Sequence, residues 1–177
     1  MSLPQTPDPA KLFVSAIYAD ADRFARCREK LEARFGRCDY ESKEIAFVRT
    51  HYYEDEMGAL LFRRFLSFRE LVRPEALPEI KLFTNALEAE AAEQDQRRIN
   101  LDPGYLNRYH FILATGKSAA HRPYLGRGIY ADLTLIYESG SFQPRPWTYP
   151  DYAEAAVIAM LNRLREVYKE DLRQGGE

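Results

Sequence analysis

Arg97-Arg98-Ile99-Asn100-Leu101-Asp102-Pro103-Gly104 alternates polar with apolar residues, so in an extended strand Arg98, Asn100 and Asp102 fall on one face. A guanidinium, an amide and a carboxylate pointing one way could hold a ligand by charge and hydrogen bonds together. The plainer alternative is a solvent-facing strand in which Asp102 opens a turn at Pro103-Gly104. Asn and Asp are poor strand formers, so their presence asks for another reason. The second pair is His121-Arg122: a planar arginine fork beside an imidazole suits a phosphate or a carboxylate. Gly126 and Gly128, just beyond, allow backbone to approach closely. Here the alternative is that Arg122 pairs with a neighbouring carboxylate and His121 caps a turn.

Other segments carry weaker chemistry. His51-Tyr52-Tyr53-Glu54-Asp55-Glu56-Met57-Gly58 gathers one imidazole and three carboxylates, donors enough for Mg²⁺, Mn²⁺ or an acid/base pair. Without HExxH, paired cysteine ligands or an EF-hand loop it reads as a solvated acidic loop, and no metal is implied. Gly116-Lys117-Ser118 ends like a phosphate-binding loop, but Phe111 stands where that loop needs a glycine, and little helix fits before Pro123. An ordinary strand exit with a solvated Lys117 is the simpler account. Arg63-Arg64, and Lys81 with Asn85 at i and i+4 on one helix face, are further candidates.

The whole chain narrows the choices. Its 177 residues, 46% hydrophobic, suit one domain with a substantial core. With 25 basic and 27 acidic side chains, the long-range positive field of a nucleic-acid binder is missing. The 12 tyrosines and 10 phenylalanines fall mostly on core stripes rather than on a base-stacking signature. Cys27 lies on an apolar helix stripe and Cys38 stands alone, so they read as reduced thiols. Residues 1–10, with three prolines, read as a disordered leader rather than a signal peptide. No apolar run is long enough to span a bilayer, and the protein is expected in the cytoplasm without membrane contact.

The elements that must position these residues follow from periodicity. Leu12–Tyr18 predicts a buried strand; Asp20 is a helix N-cap, Phe24, Cys27, Leu31 and Phe35 form a stripe, and Gly36 stops it. Ile45–Tyr52 predicts a strand, whereas Leu60–Leu71 fits neither period and suggests a strand or an irregular edge. Pro78 opens a helix with Ile80, Phe83, Leu87 and Ala91 inside. Ile99–Leu101 predicts a short strand turned by Pro103-Gly104, and Phe111–Thr115 predicts another. Gly128–Tyr137 alternates as a one-sided strand, Ser139-Gly140 turns it, and Phe142–Trp147 returns at an edge. Asp151 and Glu154 suggest a capping box for a last helix with Val157, Met160, Leu161, Leu164 and Tyr168 inside. The expectation is a single α+β domain over residues 11–172, with a mixed or mostly antiparallel sheet, about three helices packed on it, and a frayed tail at 173–177.

Six longer motifs also resemble a known family: Tyr52-Tyr53-Glu54-Asp55-Glu56-Met57-Gly58, Arg64-Phe65-Leu66-Ser67-Phe68, Lys81-Leu82-Phe83-Thr84-Asn85, Arg98 to Tyr105, His121 to Gly126 and Pro146 to Tyr152. On these the chain resembles the bacterial family called domain of unknown function 4416, over nearly its whole length. Members are sometimes labelled GTP-binding, a label that finds only Gly116-Lys117-Ser118 here. The resemblance leaves cofactor and reaction open; it implies that the polar motifs belong to one fold. From this we expect Arg98, Asn100, Asp102, Lys117, His121 and Arg122, with Glu54, Glu56 and Arg64, to build a mixed-charge site for a small anionic ligand, phosphate- or carboxylate-bearing, a class that includes nucleotides. Glu56 or His121 would serve any proton transfer. The alternative is a non-enzymatic interaction module or homodimer, with Trp147-Thr148-Tyr149-Pro150 as its contact and the polar motifs as buried networks.

Overall fold

Strand β1 (Ala10–Tyr18) is buried at every position, as a strand covered on both faces must be. The computed structural model describes residues 3–47, 54–58 and 60–174, apart from the side chains of 54 and 55. After β1 come α1 (Ala21–Phe35), β2 (Cys38–Glu41), β3 (Ile45–Ala46), the one-turn helix α2 (Glu54–Met57), β4 (Phe62–Val72), α3 (Leu77–Glu90) and β5 (Ile99–Leu106). Then follow β6 (His110–Thr115), β7 (Tyr124–Gly126), β8 (Ile129–Glu138), β9 (Ser141–Pro144) and α4 (Ala155–Gln174). One sheet in the order β2-β4-β1-β5-β6-β8-β7 holds the strands, with β3 on β4 and β9 on β8, and every pairing is antiparallel. This is the expected single-domain α+β class.

The helices form a layer on each side. Alternation along β1 sends Leu12, Val14, Ala16 and Tyr18 to one face, where they meet Phe24 and Leu31 of α1 and Ile80 and Leu87 of α3. Phe13 goes to the other, joining Phe65, Phe111 and Leu135 beneath Leu161, Leu164 and Tyr168 of α4. Phe13 and Phe111 meet edge to face at 5.0 Å. Asp20 caps α1 as expected, its carboxylate accepting from the amides of Asp22 and Arg23, and Gly36 ends the helix at φ 85°. Lys11, fully buried, donates to Asp39 (2.6 Å), Asp171 (2.8 Å) and the carbonyl of Phe68 (3.0 Å), tying the end of α4 to β1, β2 and β4.

Several elements depart from expectation. β5 runs straight through Pro103-Gly104 instead of turning there. Pro103 has a strand partner only in Val14, so its missing N–H costs at most one ladder bond. Gly104 serves close approach: a Cβ there would lie 2.2 Å from the Ile112 carbonyl oxygen. The ambiguous stretch at Leu60–Leu71 is β4, an interior strand between β2 and β1, and its two covered faces blur any single period. Pro78 is the second residue of α3 rather than the first. Asp151 does not cap α4, which starts at Ala155; it pairs with Arg63. Of the strand expected over Ile45–Tyr52 only Ile45–Ala46 is seen, 48–52 lying outside the described residues. Ala10, assigned to the leader, is already buried in β1.

Candidate functional site

Helix α4 covers only part of its face of the sheet. Lys11 and Asp171 place its C-terminal end over the start of β1, while Arg165 donates to the Arg108 carbonyl and Asn162 accepts from the Phe142 amide of β9, so the helix crosses the strands at that end of the sheet. Ser15 is opposite Asp102 and Ile17 opposite Asn100; Gly104 is opposite Leu113, which is opposite Asp132. Directly opposed residues share a face, so Asn100, Asp102 and Asp132 all stand on the α4 side, away from the end of the sheet that the helix crosses. From strand spacing, Asp102 and Asp132 are about 12 Å apart.

On β5, Asn100 donates to Asp102 Oδ2 at 2.6 Å, so that expected pair does share a face. Arg98 does not join them: it precedes the strand, where alternation has not begun, and donates to the Glu56 carbonyl (2.9 Å) near Glu93. Its neighbour Arg97 takes that place, donating to Asn100 Oδ1 (3.0 Å) and to the Glu56 carboxylate (3.1 Å). Strand β6 pairs only with Gly104–Leu106, which leaves Leu101 without a strand on that side. Two side chains of α3 fill in: Glu88 accepts from the Leu101 amide (2.6 Å), and buried Lys81 donates to the Leu101 carbonyl (2.9 Å) and approaches Asp102 at 3.4 Å. Asn85 instead faces solvent, so the expected Lys81/Asn85 face is not formed.

Burial pushes the Glu88 carboxyl up, with Lys81 and the Leu101 amide opposing. A raised folded-state value means that the folded protein binds more protons than the unfolded chain, so stability falls as pH rises from the ordinary carboxylate value of about 4.3 through the raised one. Glu88→Gln keeps an acceptor for Leu101 and removes the titration. Urea unfolding between pH 4 and pH 7 should show a flatter pH dependence for the variant than for the wild type.

On β8, the outer edge is paired by β7 at Ile129–Tyr130 and by β9 from Leu135 onward, which leaves a gap at Asp132–Thr134. Side chains seal it. The Trp147 indole donates to the Leu133 carbonyl (2.7 Å), and the Thr148 hydroxyl donates to that of Thr134 (2.6 Å). Trp147 stacks on His121 (5.1 Å between centroids, 14° between planes), and His121 Nε2 lies 3.5 Å from Asp132 with no hydrogen-bond partner. Arg122 is pinned at three points: Nε to buried Asp132 (2.8 Å), one terminal nitrogen to the Lys117 carbonyl (3.1 Å), the other to the Tyr149 hydroxyl (2.8 Å).

The segment that seals the gap also links the two groups. Tyr149 holds Arg122, Asp151 pairs with Arg63, and Tyr152 is buried against Phe65 (6.0 Å) and Phe111 (5.6 Å). Burial raises the Tyr152 hydroxyl, with Arg63 pulling it down and Asp102 pushing it up, which puts both charges in its surroundings.

Not every candidate converges. Arg64 alternates with Arg63 onto the opposite face, where it pairs with Glu41 and lies over the Phe24 ring; it belongs to the packing of α1 and not to this site. Beside it, burial and Glu44 push Tyr18 up to about 12. Lys117 is exposed, its amide held by Thr115 Oγ1 (3.2 Å), and a turn rather than a helix follows Ser118. Glu54 begins α2 with its side chain outside the described residues, as are His51, Tyr52, Tyr53 and the Asp55 side chain. Among the described residues no three His, Cys, Asp or Glu side chains are grouped to hold a metal, and no helix is long and apolar enough to cross a membrane. Asp132 is not among the expected site residues, because alternation along Gly128–Tyr137 puts it on the polar side of a one-sided strand; in the fold it is 2% exposed. A carboxylate amid β-formers, ten residues after Arg122, is the signal that could have found it.

A search of curated proteins and of solved structures finds no match to the chain. A family model does match, over residues 8–168, and that span includes β1 to β9 and all but the last turns of α4. The chain therefore belongs to the family described as domain of unknown function (DUF4416).

Proposed function

We propose that the α4 face of the sheet, where residues 145–152 fold over it, binds a small anion, phosphate- or carboxylate-bearing, beside the Arg122 group on β8 and toward the Asn100–Asp102 group on β5. The observation that carries this reading is the three-point fixing of the Arg122 guanidinium on a buried carboxylate, a carbonyl and a hydroxyl, which aims a planar fork in advance. His121 is the titratable group beside it, stacked and short of a hydrogen-bond partner, and it takes the proton-transfer role ahead of Glu56, whose carboxylate is occupied by Arg97. Trp147 closes one side.

Thermal shift with inorganic phosphate, glycerol phosphate, nucleoside monophosphates and citrate tests this. A probe at 100 times its Kd adds about 2.7 kcal/mol, which for a chain of this size is roughly 5–10 °C in Tm. Arg122→Gln alone would strand a buried Asp132, so the comparison is the double variant Arg122→Gln/Asp132→Asn. It should fold and show no shift. The reading fails if no probe raises the wild-type Tm more than that of the double variant.

A second reading, a protein contact or homodimer, draws on the aromatics around the same group: Tyr124, Trp147 and Tyr149 are 61%, 38% and 47% exposed. Concentration-dependent sedimentation, lost on Tyr149→Ser, would favour it.

A further inference from the structure

The opposite face of the sheet carries a separate cleft, of about 370 Å³, between the end of α1, the end of β4 and the start of α3. Its floor is apolar: Phe35 and Phe83 meet edge to face (5.4 Å, 87°), with Val72 and Ile80 beside them. Its rim is cationic. Arg34, Arg73 and Arg127 line it against the single carboxylate of Glu79. Among the described residues Arg34 pairs with no carboxylate and lies over the Phe35 ring at 5.8 Å. The partners of the other two are replaceable: Arg73–Glu75 and Arg127–Glu79 join side chains that are all more than half exposed, and such pairs contribute little. Arg127 itself sits at φ 55° in the two-residue turn between β7 and β8, a conformation that glycine or asparagine adopts at less cost, and the turn delivers its guanidinium to the cleft.

We propose that this cleft is a binding site for a small amphipathic carboxylate, its apolar body on Phe35, Val72, Ile80 and Phe83 and its charged end among the three arginines. The volume lies at the lower end of the range for small-molecule sites, about 300–1,000 Å³, whereas a stable protein partner would need about 800 Å² from each side. An apolar floor with a rim of three arginines against one carboxylate selects an occupant that is apolar at one end and negative at the other. The site is independent of the Arg122 group, which faces α4 across the sheet.

Decanoate below its micellar concentration is the probe, titrated into ¹⁵N-labelled full-length protein, with decyltrimethylammonium and decanol as the cationic and neutral counterparts. Decanoate should move the amide resonances of Phe35, Val72, Ile80 and Phe83 and saturate. Arg34→Gln and Arg127→Gly should each weaken it about fivefold, the scale of one exposed charged contact. Both are surface changes, and the second also relieves the turn. Equal saturation by decanol or the cation overturns the proposal, as does an absence of shifts at millimolar decanoate. Broadening of the same resonances when protein concentration alone is raised also overturns it, because the occupant is then a second copy of the chain.

Discussion

Gly104→Ala is expected to destabilise the protein by about 3 kcal/mol, the upper range for forcing extra volume into a packed interior. A Cβ at this position would lie 2.2 Å from the carbonyl oxygen of Ile112 and 2.9 Å from Leu113 Cδ2, and the first of these is backbone, which cannot swing aside. Relief requires β5 and β6 to separate at one of the only three residue pairs that join them. Gly116→Ala is the control: nothing lies within 4 Å of its added methyl, so its effect should stay within about 0.5 kcal/mol. Urea unfolding of both variants decides the point. Equal stabilities would mean that the close strand approach contributes nothing.

The other large effect is expected at Lys11. Lys11→Met keeps the apolar stem but strips the ammonium from Asp39, Asp171 and the Phe68 carbonyl. Breaking a buried ion pair by removing one partner costs about 3–5 kcal/mol. The two aspartates are about a fifth exposed and recover some hydration, so the lower end, about 3 kcal/mol, is expected. Asp171→Asn should cost less, because Asp39 and the carbonyl remain. Loss of under about 1 kcal/mol in Lys11→Met would show that this clasp does not hold α4. Lys169→Ala, whose partner Glu166 is exposed, is the neutral comparison.

Elements with a single strong period were legible in the sequence. β1 is continuous β-formers, α1 carries its own cap, stripe and glycine stop, and α4 has five apolar residues at helical spacing; each signal is local. What failed depended on neighbours far along the chain. Pro103-Gly104 reads as a turn in any window that does not contain Ile112, the residue that makes the glycine necessary. Arg63 and Arg64 look alike in sequence, yet alternation sends one to Asp151 and the other to Glu41. Asp132 looked solvent-facing because nothing near it announces that residues 145–152 will fold over that side. Arg97 and Arg98 were exchanged for a local reason: the strand begins at Ile99, one residue too late for alternation to choose between them.

The three-pair seam between β5 and β6 also bears on how the molecule opens. The strands β2, β4, β1 and β5 make one broad unit and β6, β8, β7 and β9 another, while α4 packs on Phe13 and Phe65 of the first and on Phe111, Leu135 and Phe142 of the second. Cooperative units exposed by native-state hydrogen exchange tend to follow such divisions. Undocking α4 would therefore let the two sheet halves exchange their amide protons as separate populations. The Arg122 group and the Asn100–Asp102 group lie on opposite sides of that seam, and a ligand touching both would slow the exchange of both halves together.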